Sequence, residues 1–189
     1  MEYKISEIFS SWQGEGLNTG VPATFIRLAG CNLSCAWCDT DYSLKEVLTI
    51  EEIISRVQDD FVILTGGEPT EQNIYPLVEE LQRNGFGVGI ESNGTNKIEQ
   101  VIDWISVAPK TIKVNHEALM VADEIKIVID GNDKKNKDLI ELALKHIPNT
   151  QIWLQPEGNK ERCIKEAMRL SKLYNVRMGH QIHILRGWK

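Results

Sequence analysis

The chain has 189 residues, of which 42% are apolar and 25% charged, and its formal net charge is −6. This length predicts a single domain over residues 1–189 with a full hydrophobic core. The negative charge excludes an overall basic surface for direct nucleic-acid binding. No apolar run approaches the roughly 20 residues that cross a bilayer, and residues 1–4 carry no apolar signal region. We therefore expect a cytoplasmic protein with a small-molecule partner and no membrane contact.

The first two predicted strands frame a glycine-punctuated loop. Residues 3–9 alternate apolar and polar side chains as a strand does, and residues 10–16 form the loop, which by itself also fits an ordinary surface turn. Residues 23–28 predict a buried strand in which Arg27 is the unusual member. Its guanidinium either reaches an exposed edge of the fold or faces a site and binds a carboxylate bidentately.

Three of the four cysteines follow within residues 30–41, spaced Cys31-x-x-x-Cys35-x-x-Cys38. Three thiolates on so short a loop can hold one inorganic centre and leave a coordination position without a protein ligand, as in a four-iron cluster that activates a small molecule. A structural zinc site is an alternative, with a fourth ligand drawn from Cys163 or a distant histidine. A redox pair of Cys35 and Cys38, or buried inert cysteines, is another.

Helices and strands alternate after the cysteines. Thr49 and Glu52 form a capping box that starts a helix, and a strand over 61–65 runs directly into Gly66-Gly67-Glu68-Pro69. The further predicted elements are helix 75–84, strand 87–91, a short helix around 98–102, strand 104–107, strand 124–129, helix 134–146, strand 151–154 and helix 160–174. Residues 111–122 give no clear pattern. Cys163 lies on the apolar face of the last helix, so we expect it in the core.

This alternation predicts an α/β fold with a parallel β/α barrel. A complete eight-unit barrel takes about 250 residues, so this chain has room for a partial barrel of about six units. Functional groups of such folds gather at the carboxyl ends of the strands. The polar breaks at 65–68, 91–94, 108–110 and 155–158 should therefore share one rim, and one active site, with the cysteine loop.

The cysteine spacing, with Trp37 just before the last cysteine, resembles that of the radical S-adenosylmethionine (SAM) enzymes. The Gly66-Gly67-Glu68 segment, one βα unit later, is similar to their backbone cradle for the amino end of SAM. The resemblance implies a [4Fe-4S] cluster held by Cys31, Cys35 and Cys38. It also implies SAM on the free iron, cleaved to a 5′-deoxyadenosyl radical.

Three segments narrow the resemblance: residues 12–16 (Trp-Gln-Gly-Glu-Gly), residues 25–33 (Phe-Ile-Arg-Leu-Ala-Gly-Cys-Asn-Leu) and residues 38–41 (Cys-Asp-Thr-Asp). Together they resemble the 7-carboxy-7-deazaguanine synthase family over nearly the whole chain. The resemblance implies a lyase of queuosine biosynthesis, a tRNA modification pathway. It would convert 6-carboxy-5,6,7,8-tetrahydropterin to 7-carboxy-7-deazaguanine with loss of ammonia while reusing SAM. A flavodoxin-like one-electron donor and a homodimer are also implied.

The same resemblance implies roles for individual residues. The substrate residues would be Trp12, Gln13, Gly14, Glu15, Arg27, Thr65, His183 and the terminal carboxylate of Lys189. The SAM residues would be Trp37, Cys38, Asp39, Gly67, Glu91, Asn93, Ala108, Pro109, Lys110, Gln155, Pro156, Glu157 and Gly158. Thr40 would bind Mg²⁺, for which a hydroxyl is a weak ligand that substrate oxygens and waters supplement.

Alternatives stand beside these roles. Thr40 also fits a turn hydroxyl, His183 a surface imidazole and Lys189 a frayed tail. The family often has Ser-Pro-Lys and Gln-Pro-x-Asp at residues 108–110 and 155–158, where this chain has Ala-Pro-Lys and Gln-Pro-Glu-Gly. At those two places the side chains of the family pattern are missing, so contacts to SAM there would come from the backbone. An activase for glycyl-radical enzymes, and a zinc or redox module without catalysis, are the other candidate functions.

Overall fold

The computed structural model of the chain describes residues 1–38 and 40–188, and nine strands within them form one sheet. The strands are β1 (Glu2–Trp12), β2 (Pro22–Leu28), β3 (Glu46–Thr49), β4 (Phe61–Gly66), β5 (Gly87–Ser92), β6 (Trp104–Val107), β7 (Glu124–Ile129), β8 (Ile152–Pro156) and β9 (Arg177–Met178). Their order in the sheet is β3-β1-β2-β4-β5-β6-β7-β8-β9.

From β2 onward the sheet is parallel. β2 pairs with β4, and each later strand pairs in parallel with the next one along the chain up to β9. β1 is antiparallel to both β2 and β3, and β3 forms one edge of the sheet. This sequential parallel order is that of a partial β/α barrel and confirms the predicted fold class.

Helices connect most of the parallel strands. They are α1 (Ile50–Ile54), α2 (Tyr75–Arg83), α3 (His116–Met120), α4 (Asp133–Leu144), α5 (Glu161–Tyr174) and α6 (Ile182–Arg186). The predicted capping box starts α1, because the Thr49 side chain accepts from the Glu52 N–H and the Glu52 carboxylate accepts from the Thr49 N–H. Cys163 is fully buried on α5, as predicted.

The predicted helix around 98–102 is wrong. Residues 96–103 have no regular structure beyond bends and one turn, and within them Ile98 and Ile102 are buried, whereas Val101 is exposed. The Gln82 side chain donates to the Val101 carbonyl, and the Asp103 carboxylate accepts from the Val88 N–H. So short a segment gains little from helix formation, and these side-chain contacts hold the turn instead.

Other differences concern the edges and the tail. β1 runs on to Trp12, three residues beyond the predicted end, because Ser10 to Trp12 pair with β2. α3 occupies part of the unreadable segment 111–122, with the Asn115 side chain as its N-cap. β3, β9 and α6 were not predicted.

Alternate residues of each strand face opposite sides of the sheet, which builds two cores. One face packs against the helices through residues such as Ile26, Leu64 and Ile127. The other face encloses a smaller cluster at the amino-terminal end of the strands, formed by Phe9, Ala23, Phe25, Phe61, Ile63 and Trp104. Toward the carboxyl ends the same inward face becomes polar, which places the charged residues above an apolar floor.

Among the described residues, no helix combines the length and the apolar character needed to cross a membrane.

Candidate active site

The predicted site residues meet in one cavity of about 290 Å³ at the carboxyl ends of the parallel strands. Those in its wall are Trp12, Gln13, Gly14, Glu15, Arg27, Cys31, Cys35, Trp37, Cys38, Thr40, Thr65, Gly67, Glu91, Asn93, Ala108, Lys110, Gln155 and His183. Glu157 lines a second cavity that shares Trp37 and Cys38 with the first. Pro109, Pro156 and Gly158 adjoin wall residues in the chain without lining the main cavity. Asp39 and Lys189 lie outside the described residues, so the predictions for them stay untested.

The cysteine loop and the Gly-Gly-Glu segment pack directly against each other. The Glu68 N–H donates to the Gly30 carbonyl at 3.0 Å, and the Gly67 N–H donates to the Leu28 carbonyl at 3.4 Å. A Cβ at Gly67 would lie 2.2 Å from the Gly30 oxygen, so only glycine permits this approach. The two motifs therefore form one structural unit.

Glu68 ties this unit to the end of β5. Its carboxylate is buried and accepts from the Ser92 hydroxyl at 2.8 Å and from the Asn93 N–H at 2.6 Å. The Asn93 side chain in turn donates to Asn32, within the cysteine loop, at 3.0 Å. Glu68 and Asn93 thus fix the loop against two strand ends, which keeps the three thiols at the mouth of the cavity.

The three thiols fit a cluster with one iron left free of protein. All three line the cavity as free cysteines, and burial raises the pKa of the Cys31 thiol, with Glu68, Cys35 and Cys38 adding to the rise. Cys163, a candidate fourth zinc ligand, is locked in the core on α5. The donor set therefore fits a [4Fe-4S] cluster with three thiolate ligands.

An inward-facing charge network forms one side of the cavity. The Lys126 ammonium on β7 donates to Glu91 at 2.6 Å and to Glu15 at 3.1 Å, and only 5% of its side chain is exposed. Glu91 also accepts from the Gln13 side chain at 3.2 Å and from the Thr65 hydroxyl at 3.3 Å. Glu91, which the resemblance assigns to SAM, thus lies among residues that the resemblance assigns to the substrate.

This network keeps the Glu91 carboxylate ionised. Burial disfavours the charged form of Glu91, but the nearby Lys126 ammonium and the donated hydrogen bonds outweigh it, so the pKa of Glu91 lies below its usual range. Burial also opposes the charge on Lys126, yet Glu91, Glu15 and Glu124 together raise the pKa of the ammonium. The cavity therefore presents carboxylate oxygens that accept hydrogen bonds at neutral pH.

The loop of residues 13–21, which we call the clamp loop, is anchored from below by Glu124. This buried carboxylate accepts from the Leu17 N–H at 2.6 Å and from the Ser106 hydroxyl at 2.8 Å. Gly16 has φ +68°, and a Cβ there would lie 2.2 Å from Glu124 Oε1. Burial raises the pKa of Glu124. The loop is thus held by a side chain on β7 and is no ordinary surface turn.

Arg27 lies in the cavity wall and not at an exposed edge. Its Nε donates to Glu7 at 2.8 Å, its guanidinium lies 5.7 Å from the centre of the Phe9 ring, and 19% of its side chain is exposed. Of the two alternatives for Arg27, the structure supports the one in which the side chain faces the site.

Lys110 and Gln155 also lie in the wall of the cavity. The Lys110 ammonium lies 5.2 Å from the centre of the Trp37 ring, and burial, followed by repulsion from Lys126, lowers the pKa of Lys110. Gln155 is buried, and neither its amide oxygen nor its amide nitrogen has a hydrogen-bond partner among the described residues. Because buried amides are normally paired, Gln155 is suited to bind a polar ligand in the cavity.

Residues 181–188, which we call the closing segment, cover the clamp loop. The Ile182 N–H donates to the Gly14 carbonyl at 3.1 Å, and the rings of Trp12 and Trp188 lie 5.3 Å apart. The His183 side chain packs on Gly14, where an added Cβ would lie 2.5 Å from its Nδ1. His183 also lines the main cavity, which favours the site over the alternative of a surface imidazole.

Sequence reasoning missed Lys126, Glu124 and Gln181. Glu124 and Lys126 are two residues apart in an otherwise apolar strand, so both face the barrel interior. Paired charges at that spacing were a usable signal. Gln181 contacts Glu15, 166 residues away, and no local pattern indicates such a contact.

Comparisons with known proteins agree with this geometry. The model of the radical SAM superfamily matches residues 25–171. A 7-carboxy-7-deazaguanine synthase from Neisseria meningitidis is 41% identical over 138 residues, 69% of this chain and 65% of that protein. One from Bacteroides thetaiotaomicron is 41% identical over 160 residues, 82% of each chain.

A solved structure shares the whole fold. The crystal structure of QueE from Escherichia coli superimposes with a TM-score of 0.82 at 31% identity, covering 96% of this chain and 94% of that one. Family model, relatives and structure point the same way. The chain therefore belongs to the radical SAM superfamily and, within it, to the family of the 7-carboxy-7-deazaguanine synthases.

Proposed function

We propose that this chain converts 6-carboxy-5,6,7,8-tetrahydropterin to 7-carboxy-7-deazaguanine with loss of ammonia, as a radical SAM lyase of queuosine biosynthesis. One observation carries the proposal. The three cysteines line a cavity whose wall also holds Lys126 and the two carboxylates that it contacts, Glu15 and Glu91. A cluster-bound cofactor and a donor-rich small molecule could therefore occupy the same cavity. An activase that acts on a protein segment has no comparable observation in its favour.

Cys31, Cys35 and Cys38 would hold the [4Fe-4S] cluster. When bound, cluster and SAM supply the 5′-deoxyadenosyl radical that starts the reaction. Apart from Glu91, the proposed SAM residues are those that the resemblance implies. The strongest support is the buried amide of Gln155, which has no hydrogen-bond partner among the described residues. Ala108 lines the cavity without a hydroxyl to offer, so we expect SAM contacts at 108–110 to come from the backbone and from Lys110.

The substrate residues would bind the two ends of the substrate, which are the pterin edge and the carboxylate. Gln13, Glu15 and Glu91 present an amide and two carboxylates, which match the N–H donors along a pterin edge. Arg27 and Thr65 lie in the same wall, where a guanidinium and a hydroxyl can bind the substrate carboxylate. This arrangement would orient the reacting C–H bond toward the 5′ carbon and exclude water.

Three finer features belong to the same proposal. Thr40 lines the cavity near Cys38, and we propose that it binds Mg²⁺ together with the substrate carboxylate and waters. A flavodoxin-like protein would supply one electron for each activation. The enzyme would act as a homodimer in the cytoplasm.

Anaerobic reconstitution followed by turnover tests the proposal. Protein loaded with iron and sulfide is supplied with SAM, a reductant and 6-carboxytetrahydropterin, with and without Mg²⁺. We expect 7-carboxy-7-deazaguanine with no net consumption of SAM, and faster turnover with Mg²⁺. Glu15→Gln should lower kcat/KM about 10- to 100-fold, because a charged hydrogen-bond acceptor is lost, whereas Glu99→Gln, at an exposed position, should have no effect. Cluster-loaded protein that leaves the pterin unchanged would refute the substrate assignment.

A further inference from the structure

The side-chain amide of Gln181 connects two loops that are proposed to bind different ligands. Its Nε2 donates to Glu15 Oε1 at 3.1 Å, and its Oε1 accepts from the Gly158 N–H at 3.0 Å. Glu15 lies in the clamp loop, proposed for the substrate, whereas Gly158 lies in the turn after β8, proposed for SAM. We propose that Gln181 is a positioning residue that couples the two halves of the site, so that binding of substrate favours binding of SAM and the reverse. This inference rests on the proposed function.

The backbone around Gln181 makes the same connection. Asn159, next to Gly158, donates from its side chain to the Gln181 carbonyl at 2.9 Å and accepts from the Gln181 N–H at 3.3 Å. The following N–H, of Ile182, donates to the Gly14 carbonyl in the clamp loop at 3.1 Å. The closing segment therefore begins where it is hydrogen-bonded to both loops at once.

Gln181 also helps to orient the Glu15 carboxylate toward the cavity. One carboxylate oxygen of Glu15 accepts from Gln181 and the other from Lys126 at 3.1 Å. Because each carboxylate oxygen accepts one hydrogen bond, the orientation of the carboxylate is fixed, and its remaining lone pairs have a defined direction. A substrate that binds Glu15 in this orientation stabilises the contact with Gln181 and, through it, the position of Gly158.

The size of the coupling follows from the bonds in the bridge. An intramolecular hydrogen bond contributes modestly to a net free energy, so coupling through one such bridge corresponds to about 5- to 10-fold in a dissociation constant. Coupling between two binding equilibria is reciprocal. SAM and substrate should therefore strengthen each other's binding by the same factor.

Two substitutions separate the halves of the bridge. Gln181→Met keeps the length of the side chain and removes both hydrogen bonds. Gln181→Glu keeps an acceptor for the Gly158 N–H but places a second carboxylate against Glu15. Gln58→Ala, at an exposed glutamine far along the chain, is the matched control.

The first experiment measures binding without turnover. Dissociation constants for SAM are determined in reconstituted, unreduced protein with and without saturating 6-carboxytetrahydropterin. We expect substrate to lower the SAM dissociation constant about 5- to 10-fold in the wild type and in Gln58→Ala, and to leave it within about 2-fold in Gln181→Met. Gln181→Glu should in addition bind the pterin more weakly. A wild type without coupling, or a Gln181→Met protein with full coupling, would overturn the inference.

The second experiment needs neither cluster nor substrate. Hydrogen exchange of the Ile182 amide is measured in cluster-free protein, where Gln181→Met should speed exchange by about 5-fold or more and Gln58→Ala should not. Unchanged exchange in Gln181→Met would refute the bridge itself. If the wild type binds SAM but not the pterin, the proposed function fails, while this exchange measurement still decides whether Gln181 joins the two loops.

Discussion

Replacing Lys126 with methionine should destabilise the protein more than any loss of a surface ion pair. Lys126 sits between Glu91 and Glu15 at 2.6 and 3.1 Å, with 5% of its side chain exposed. Methionine keeps most of the side-chain volume and removes the charge. Two carboxylates that now share one counter-ion would then face each other inside the barrel.

The magnitude follows from the distances and the burial. At an effective dielectric constant of about 20, each pair attracts by about 5 to 6 kcal/mol, and desolvation of the three charges offsets much of this. Removing one partner of a buried ion pair costs about 3 to 5 kcal/mol. Glu15 and Glu91 keep 16% and 24% of their side-chain surface exposed, so we expect the lower end, about 3 kcal/mol at pH 7.5.

The loss should shrink in acid. In the wild type the pKa of Glu91 is lowered, so its contribution to stability is present above the pKa of an unfolded glutamate and is lost as the pH falls through the lower folded value. Without Lys126, burial dominates and raises the pKa of Glu91 in the folded state. Its protonation then relieves the repulsion as the pH falls from 7.5 to 5.5.

Urea unfolding followed by circular dichroism, on cluster-free protein at both pH values, measures these effects. Lys45→Met is the control, because Lys45 pairs with Asp41 at a site where both side chains are more than half exposed, and its loss should leave the free energy of unfolding nearly unchanged. Equal destabilisation by the two substitutions, or a Lys126→Met deficit that grows in acid, would refute the reasoning.

Three further predictions concern the loops and the cluster. Burial raises the pKa of Glu124 in the folded protein, so the wild type loses stability as the pH rises above about 4.3, the pKa of an unfolded glutamate. Glu124→Gln has no carboxyl to ionise and should therefore gain stability relative to the wild type over that range. Urea unfolding at several pH values checks the sign. Cys35→Ala should fail to take up the roughly four irons per chain that iron analysis finds in the wild type. Cys163→Ala should take up iron normally, and urea unfolding should show a loss of roughly 1 kcal/mol in its free energy of unfolding. Gly67→Ala should lower the free energy of unfolding by about 2 to 3 kcal/mol, because its Cβ would lie 2.2 Å from a backbone oxygen. In Gly87→Ala the Cβ would lie 3.2 Å from a ring carbon of a side chain, so the same measurement should show a loss of less than about 1 kcal/mol.

The regular part of the fold was predictable because its strands are buried and well separated. The bounds of β6 and β7 agree with the prediction, since both are short apolar runs between clear breaks. The sequence does not predict β3 and β9, because an edge strand of four residues and one of two residues carry little periodicity. The helix predicted around 98–102 failed because buried isoleucines at helical spacing can equally be buried by a turn.

The site was predictable where chemistry resides in a local motif. The spacing of Cys31, Cys35 and Cys38 and the Gly66-Gly67 pair each indicate their role within a few residues. Lys126 and Gln181 act through tertiary contacts with Glu15, 111 and 166 residues away. Such contacts depend on which strands close the barrel and on where the tail returns, and neither follows from local periodicity.

Every role assigned to the site depends on three cysteines that hold a four-iron cluster and leave one iron for SAM. Electron paramagnetic resonance of reduced, anaerobically reconstituted protein, recorded with and without SAM, tests this arrangement most directly. We expect about four irons per chain and a spectrum that changes when SAM is added. A stoichiometric zinc ion with no uptake of iron and sulfide, or a reduced cluster whose spectrum SAM leaves unchanged, would contradict it.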